Sequence, residues 1–172
     1  MTQLALKRDW KAYYEAVNNR PPRKTLLTAL AAFEKPGVAI DLGCGEGRDT
    51  GEILRQNWAV LAIDQNPDAI ANLRKPSLDN IDRLATQIAS FENLQLPQPV
   101  DLINASFSLP FCSNEDFPSL WIQILKSLAT AVSRLICWIA KIDFSPLAPN
   151  LGGTINYLFY TITQCQASPD RK

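Results

Sequence analysis

No histidine occurs anywhere in the 172 residues, which removes the commonest zinc ligand and every nucleophilic triad built on an imidazole. Cysteine does not fill that gap. The four present, Cys44, Cys112, Cys137 and Cys165, stand far apart and form no Cys-x-x-Cys pair, so they read as free thiols of a cytoplasmic protein with no metal. Charge of one sign is not in excess either. Lys+Arg and Asp+Glu both number 17, and that balance draws the chain toward neither nucleic acid nor an anionic membrane surface. A small-molecule partner is the expectation. Met1 to Trp10 carries Lys7, Arg8 and Asp9 where a secretory signal would have its apolar core, which argues against export. The uncharged stretch from Phe144 to Pro169 is broken by Pro146, Pro149, Asn150, Gly152, Gly153 and Asn156 and does not read as a membrane span.

What remains is the length and pattern of one α/β domain. A chain of this size buries roughly 70% of its unfolded surface, enough for a hydrophobic core without a second domain. Leu6, Trp10, Tyr13, Tyr14 and Val17 recur at helical spacing until Arg20-Pro21-Pro22 stops them. The aromatic residues of that helix read as its buried face, with a pocket lining as the alternative. Leu26, Leu27, Leu30, Ala31 and Phe33 make one face of a second helix, closed by Lys35-Pro36-Gly37. Val38 to Leu42 is a short apolar run that ends on glycines, as expected of a strand buried on both sides of a parallel sheet.

A helix over Arg48 to Gln56, with Ile53 and Leu54 inward, leads to a second buried strand, Val60 to Ile63, ending at Asp64. Asn66-Pro67-Asp68 then starts a helix with a cap, a proline in the first turn and an early acid. Strands are expected at Leu84 to Ala89 and, after the Pro97 and Pro99 turn, at Val100 to Ala105. This βαβα order predicts a doubly wound, mostly parallel sheet with helices on both faces, and such sheets bind ligands beyond the carboxyl ends of their strands. The chain divides into N-terminal helices at 1–34, a ligand-binding core at 35–128 and a C-terminal segment at 129–172.

The chemistry concentrates in Asp41-Leu42-Gly43-Cys44-Gly45-Glu46-Gly47. Three glycines at alternate positions permit positive φ and let a ligand approach the backbone where a Cβ would stand. The turn follows a buried strand and opens a helix, and Asp64 at the end of the next strand can accept hydrogen bonds from both hydroxyls of a ribose. A dinucleotide site also uses such an acid, but its fingerprint is Gly-x-Gly-x-x-Gly and its pyrophosphate sits on the helix terminus. Here the spacing is Gly-x-Gly-x-Gly, Glu46 and Asp49 would repel a phosphate, and no lysine is present for a phosphate-cradling loop. A nicotinamide-dependent oxidoreductase is therefore disfavoured. The buried carboxyl of Asp41 needs donors and is expected to brace the loop.

The run from Ala39 to Arg48 resembles motif I of the class I S-adenosylmethionine-dependent methyltransferases. Ala62-Ile63-Asp64-Gln65-Asn66-Pro67 resembles their ribose-binding strand end, Ala89 to Leu94 stands where their adenine loop is expected, and Asp101 to Ser106 looks like their motif IV. The ending Gly47-Arg48-Asp49 and the early Tyr13-Tyr14 pair look most like the small tellurite-resistance and thiopurine-type members. The resemblance implies S-adenosyl-L-methionine as cofactor. It implies Gly43 and Gly45 at the methionine part, with Asp41 toward its ammonium, and Asp64 with Gln65 at the ribose. Ser90 and Phe91 fall at the adenine, and Ala105, within motif IV, belongs to the cofactor site. Arg23 and Arg20, at the helix junction, either pair with the cofactor's carboxylate or are solvated loop arginines. Cys44 only packs.

The resemblance further implies methyl transfer to a small molecule by in-line displacement, where alignment and exclusion of water dominate. With no histidine, no catalytic base is assigned, which favours soft or already ionised acceptors. After Leu128 the pattern departs from the family. Leu120, Ile124, Leu128 and Val132 keep helical spacing, the strand-like Leu135 to Ala140 follows without a turn, and Ile155 to Thr163 is one more strand candidate. Either a divergent terminus completes the sheet, or an altered or shortened one leaves it incomplete. The second case would suit a non-catalytic protein that binds S-adenosylmethionine or a partner.

Overall fold

The structure, a computed structural model, describes residue 12, residues 20–74, 78–92 and 94–128, and the backbone of 134–139 and 158–161. Its elements run α1 (Lys24–Leu30), β1 (Val38–Leu42), α2 (Arg48–Arg55), β2 (Ala59–Asp64), α3 (Pro67–Leu73), β3 (Leu84–Ile88), β4 (Leu102–Ser106), α4 (Phe117–Ser127), β5 (Arg134–Ile139) and β6 (Leu158–Thr161). Single 3-10 turns, Ile81–Arg83 and Leu109–Phe111, precede β3 and follow β4.

The strands lie in the order β3-β2-β1-β4-β5-β6. Neighbours from β3 to β5 are parallel, and β6 is antiparallel to β5. From β1 the chain moves outward through β2 to β3, then returns to the opposite side of β1 with β4. Strand order thus reverses between β1 and β4, and at such a reversal the connections leave in opposite directions and open a crevice above the strand ends.

The two faces of the sheet bury different sets of residues because side chains alternate along each strand. Ala39, Val60, Ala62 and Leu102 belong to one core, with Leu26 and Leu30 of α1, Ile53 and Leu54 of α2, and Ile70 and Leu73 of α3. Ile40, Leu42, Ile63, Ile103 and Ala105 belong to the other, with Leu120 and Ile124 of α4. Each wholly buried Leu or Ile contributes about 1.5–3 kcal/mol. Asp41 and Asn104 fall on the α1–α3 face by the same alternation, and this brings them to the start of α2.

Most expected elements are present, with Asn66 capping α3 by accepting the Asp68 N–H at 3.0 Å. The second helix is shorter than its apolar pattern predicts. It stops at Leu30, and Leu27 and Ala31 lie on its exposed flank, since i and i+4 positions share a side and Leu26, Ala29 and Leu30 occupy the buried one. Phe33, beyond the helix, meets Trp58 edge to face with centroids 4.8 Å apart. The helix expected over Leu6 to Val17, with Trp10, Tyr13 and Tyr14, lies outside the described residues. At the other end, β5 begins one residue before the expected Leu135 to Ala140 segment, β6 falls within Ile155 to Thr163, and they extend the sheet by one parallel and one antiparallel strand. No helix among the described residues is long and apolar enough to cross a membrane.

Candidate functional site

The turn after β1 carries three glycines in left-handed conformations, with φ of +70° at Gly43, +55° at Gly45 and +88° at Gly47. It is stitched to the end of β2: the N–H groups of Gly43 and Cys44 donate to the Ile63 carbonyl at 2.8 and 3.0 Å, and the Gly45 N–H donates to Asp64 Oδ2 at 2.8 Å. The clearance at two of these glycines is used by the protein itself. A Cβ at Gly43 would strike the Cβ of Ser108, and one at Gly47 would strike Leu73 Cδ1. Space expected to serve a ligand alone is therefore needed at those two positions to seat the turn against the loop after β4 and against α3.

Asp64 is nearly buried, and its two oxygens accept the Gly45 and Asn66 N–H groups, the latter at 2.9 Å. A carboxylate has about four lone-pair sites, so two remain for further donors, as a vicinal diol requires. Beside the turn, the hydroxyl of Ser108 is buried with no hydrogen-bond partner among the described residues. A buried polar atom left this way calls for a partner, which a bound water or a polar ligand would supply. The left-handed turn, the half-used carboxylate and the orphan hydroxyl together fit a nucleoside-bearing cofactor.

Asp41, 2% exposed, accepts from Thr50 Oγ1 at 2.5 Å and from Asn104 Nδ2 at 2.8 Å. Burial pushes its carboxyl up to about 7, Asp49 and Asp64 add to the rise, and the two hydrogen bonds oppose it. An acid whose folded pKa exceeds its unfolded value binds its proton more tightly in the native state, so stability falls as pH rises from about 4 to 7 and stays reduced above that range. Asp41→Asn is expected to remove this slope. The amide carbonyl can accept from Asn104 and its NH2 can donate to a rotated Thr50 hydroxyl, which leaves the variant roughly 2–4 kcal/mol more stable than wild type at pH 8 and equal to it near pH 4. Thermal unfolding across that range checks this, and parallel curves for the two proteins would refute it. Burial, then Asp41 and Asp64, push the Cys44 thiol far above its ordinary range, leaving it to pack.

Asp49, in the first turn of α2, is buried and draws two arginines. Its Oδ2 lies 3.3 Å from Arg23 Nε and its Oδ1 3.1 Å from Arg48 Nε, and Oδ1 also accepts the Arg23 backbone N–H at 3.2 Å. Arg23 is thus tied down rather than reaching freely over the turn, because a buried carboxylate must find a cation. Its guanidinium also sits 4.4 Å from the ring centre of Phe107, a half-exposed residue in the left-handed region at φ 63°. Glu46 accepts from Asn72 Nδ2 at 2.8 Å.

Of the remaining expected residues, Gln65, Ser90, Phe91 and Ala105 stand at the carboxyl ends of β2, β3 and β4. Gln65, directly after Asp64, is exposed. Ser90 and Phe91 follow β3, held there by the Ala89 N–H donating to the Asp64 carbonyl at 3.1 Å, and Phe91 packs on the α4-side core. Ala105 is buried in β4. Arg20 is exposed. Thr50, Asn104, Phe107 and Ser108 were not singled out from sequence. The demand that Asp41 find donors pointed toward the first two, Asn104 also lay within the motif IV segment, and nothing local announces Phe107 or Ser108.

A methyltransferase-domain family profile matches residues 39–131, more than half of the chain. A probable cobalt-precorrin-6B C(15)-methyltransferase (decarboxylating) of Methanothermobacter thermautotrophicus is 41% identical over 63 residues, covering 34% of this chain and 33% of that protein. Among solved structures, TehB from Haemophilus influenzae superposes with a TM-score of 0.62 at 20% identity, over 74% of this chain and 44% of its own. A TehB-like S-adenosylmethionine-dependent methyltransferase from Corynebacterium glutamicum gives 0.60 at 20% identity, over 76% and 68%. The 1,6-didemethyltoxoflavin-N1-methyltransferase of Burkholderia thailandensis, solved with 1,6-didemethyltoxoflavin and S-adenosylhomocysteine, gives 0.61 at 20% identity, over 78% and 61%. The chain spans a third of the length of the first of these relatives and less than half of the second. The family match through the glycine turn and all four strand ends identifies the chain as a member of the class I S-adenosylmethionine-dependent methyltransferase family.

Proposed function

We propose that this chain transfers a methyl group from S-adenosyl-L-methionine to a small-molecule acceptor that is a soft or already ionised nucleophile. The observation that carries the reading is the convergence, above the β1/β4 switch point, of the left-handed glycine turn, the half-satisfied Asp64 and the orphan Ser108 hydroxyl. When bound, the cofactor supplies a methyl group activated by a sulfonium. Asp64 and Gln65 would hold the ribose and Ser90 with Phe91 the adenine, with Ala105 lining the site from β4. Gly43 and Gly45 border the methionine part, with Asp41 beneath its ammonium. Arg23 and Arg48 share the single carboxylate of Asp49, leaving net positive charge beside the turn for the cofactor's carboxylate.

The soft acceptor is supported by how few groups among the described residues are placed to act as a base. There is no histidine in the chain, and Asp41, Asp49 and Asp64 are each engaged by two or more donors. A thiolate or selenide needs no base, and the protein then contributes alignment of donor and acceptor at about 3 Å together with exclusion of water. The small acceptor bound by the Burkholderia enzyme supports the size class. A cytoplasmic setting suits the free thiols of Cys44 and Cys112.

Calorimetric titration with S-adenosylhomocysteine, with NADH as control, tests the cofactor. Saturable binding of the first and none of the second is expected. Methyl transfer to thiols but not to amines or alcohols in a subsequent screen is the expected acceptor pattern. Binding without turnover on any acceptor would favour a non-catalytic S-adenosylmethionine-binding protein.

A further inference from the structure

The strand register sets Asp41 of β1 directly beside Asn104 of β4, and a continuous set of side-chain hydrogen bonds runs through the pair. Thr50 Oγ1 donates to Asp41 Oδ2 at 2.5 Å, Asn104 Nδ2 donates to Asp41 Oδ1 at 2.8 Å, and Ser106 Oγ donates to Asn104 Oδ1 at 2.7 Å. Asn104 is 1% exposed and Thr50 wholly buried. A buried amide in that position has one orientation that suits an ionised neighbour, since turning it over would aim its carbonyl at a carboxylate. Ser106, at the last position of β4 and partly exposed, selects that orientation by donating to the carbonyl end.

We propose that Asn104 is a positioning residue of the cofactor site: locked by Ser106, it holds the Asp41 carboxylate against Thr50 and so couples the end of β4 to the glycine turn and the start of α2. The assignment rests on the cofactor reading given above. Its physical consequence is a dependence of binding on the ionisation of Asp41, which lies near neutrality. The titratable groups facing Asp41 among the described residues are Asp49 from α2, Asp64 from the end of β2 and Cys44 from the turn. Arg23 and Arg48 pair with Asp49, whose charge still raises Asp41. A ligand ammonium favours the ionised acid, so affinity falls as pH drops through the inflection, by about tenfold per unit below it.

S-adenosylhomocysteine binding is therefore to be measured by calorimetry from pH 5.5 to 8.5 for wild type, Asn104→Asp and Ser106→Ala. Wild type is expected to show an inflection near pH 7. Asn104→Asp, isosteric but lacking the donor and adding a second acid, is expected to move the inflection up by a unit or more and to weaken binding at pH 7 by about tenfold or more. Ser106→Ala, at a partly exposed position, is expected to make the same shift in smaller degree and serves if Asn104→Asp does not fold. A residue that merely fills space would change thermal stability and leave the inflection in place. Inflections unmoved in the folded variants would overturn the assignment while leaving the cofactor reading intact. Failure of wild type to bind at any pH would overturn both.

Discussion

Replacing Asp64 by alanine is expected to weaken S-adenosylhomocysteine binding at least 100-fold. Two charge-assisted hydrogen bonds to a ribose are worth roughly 1.5–3 kcal/mol each, and every 1.4 kcal/mol is about tenfold in affinity. The variant also frees the Gly45 and Asn66 N–H groups that the carboxylate holds at 2.8 and 2.9 Å, so the glycine turn itself loosens. Asp64→Asn separates these two roles. One amide oxygen can still accept from the turn, but the diol then meets a single neutral acceptor, and a loss intermediate between wild type and Asp64→Ala is expected. Calorimetry on folded, monodisperse protein gives the ranking. Undiminished affinity in Asp64→Ala would remove the ribose from this corner of the site.

Gly43→Ala is expected to be among the most damaging single-methyl insertions in the chain. At φ +70° an alanine pays about 1–2 kcal/mol for the left-handed conformation, and its Cβ collides with the Ser108 Cβ, an overpacking that typically costs 1–3 kcal/mol more. Together these lower the melting temperature by about 5–15 °C for a domain of this size. Ser108→Gly in the same chain relieves the collision and leaves the conformational part, so about half of the loss should return, and coupling of that kind is read from a double-mutant cycle. If Gly43→Ala melts with wild type and loses only S-adenosylhomocysteine affinity, the glycine is there for the ligand and not for the fold.

The parts of the molecule legible in the sequence are those whose signals are local. β1 and β2, buried on both faces, appear as short apolar runs, broken in β1 by Asp41 and closed in β2 by Asp64, and α3 announces itself through Asn66-Pro67-Asp68, which the structure turns into a capped first turn. The three positive-φ glycines of the turn were readable because glycine occupies that region without strain. β3 gave a weaker pattern for a physical reason: it lies at the sheet's edge with its residues half exposed, where neither continuous burial nor strict alternation is enforced. Leu27 misled because a run of leucines satisfies a helical period on two flanks at once, and only packing decides which flank is covered.

By itself the sequence determined the order of strands and helices, the left-handed glycine turn and the acid at the end of the second strand, since backbone conformation and burial pattern are properties of a few consecutive residues. Tertiary structure alone decided the partners. Asp41 meets Asn104 only because β4 returns beside β1 in a particular register, Ser108 fills the space at Gly43, and Asp49 pairs with Arg23. The separations between these pairs run to dozens of residues, and no local propensity carries information across them. A buried charge or an empty glycine flank states in the sequence that it needs a partner, and the fold supplies which one.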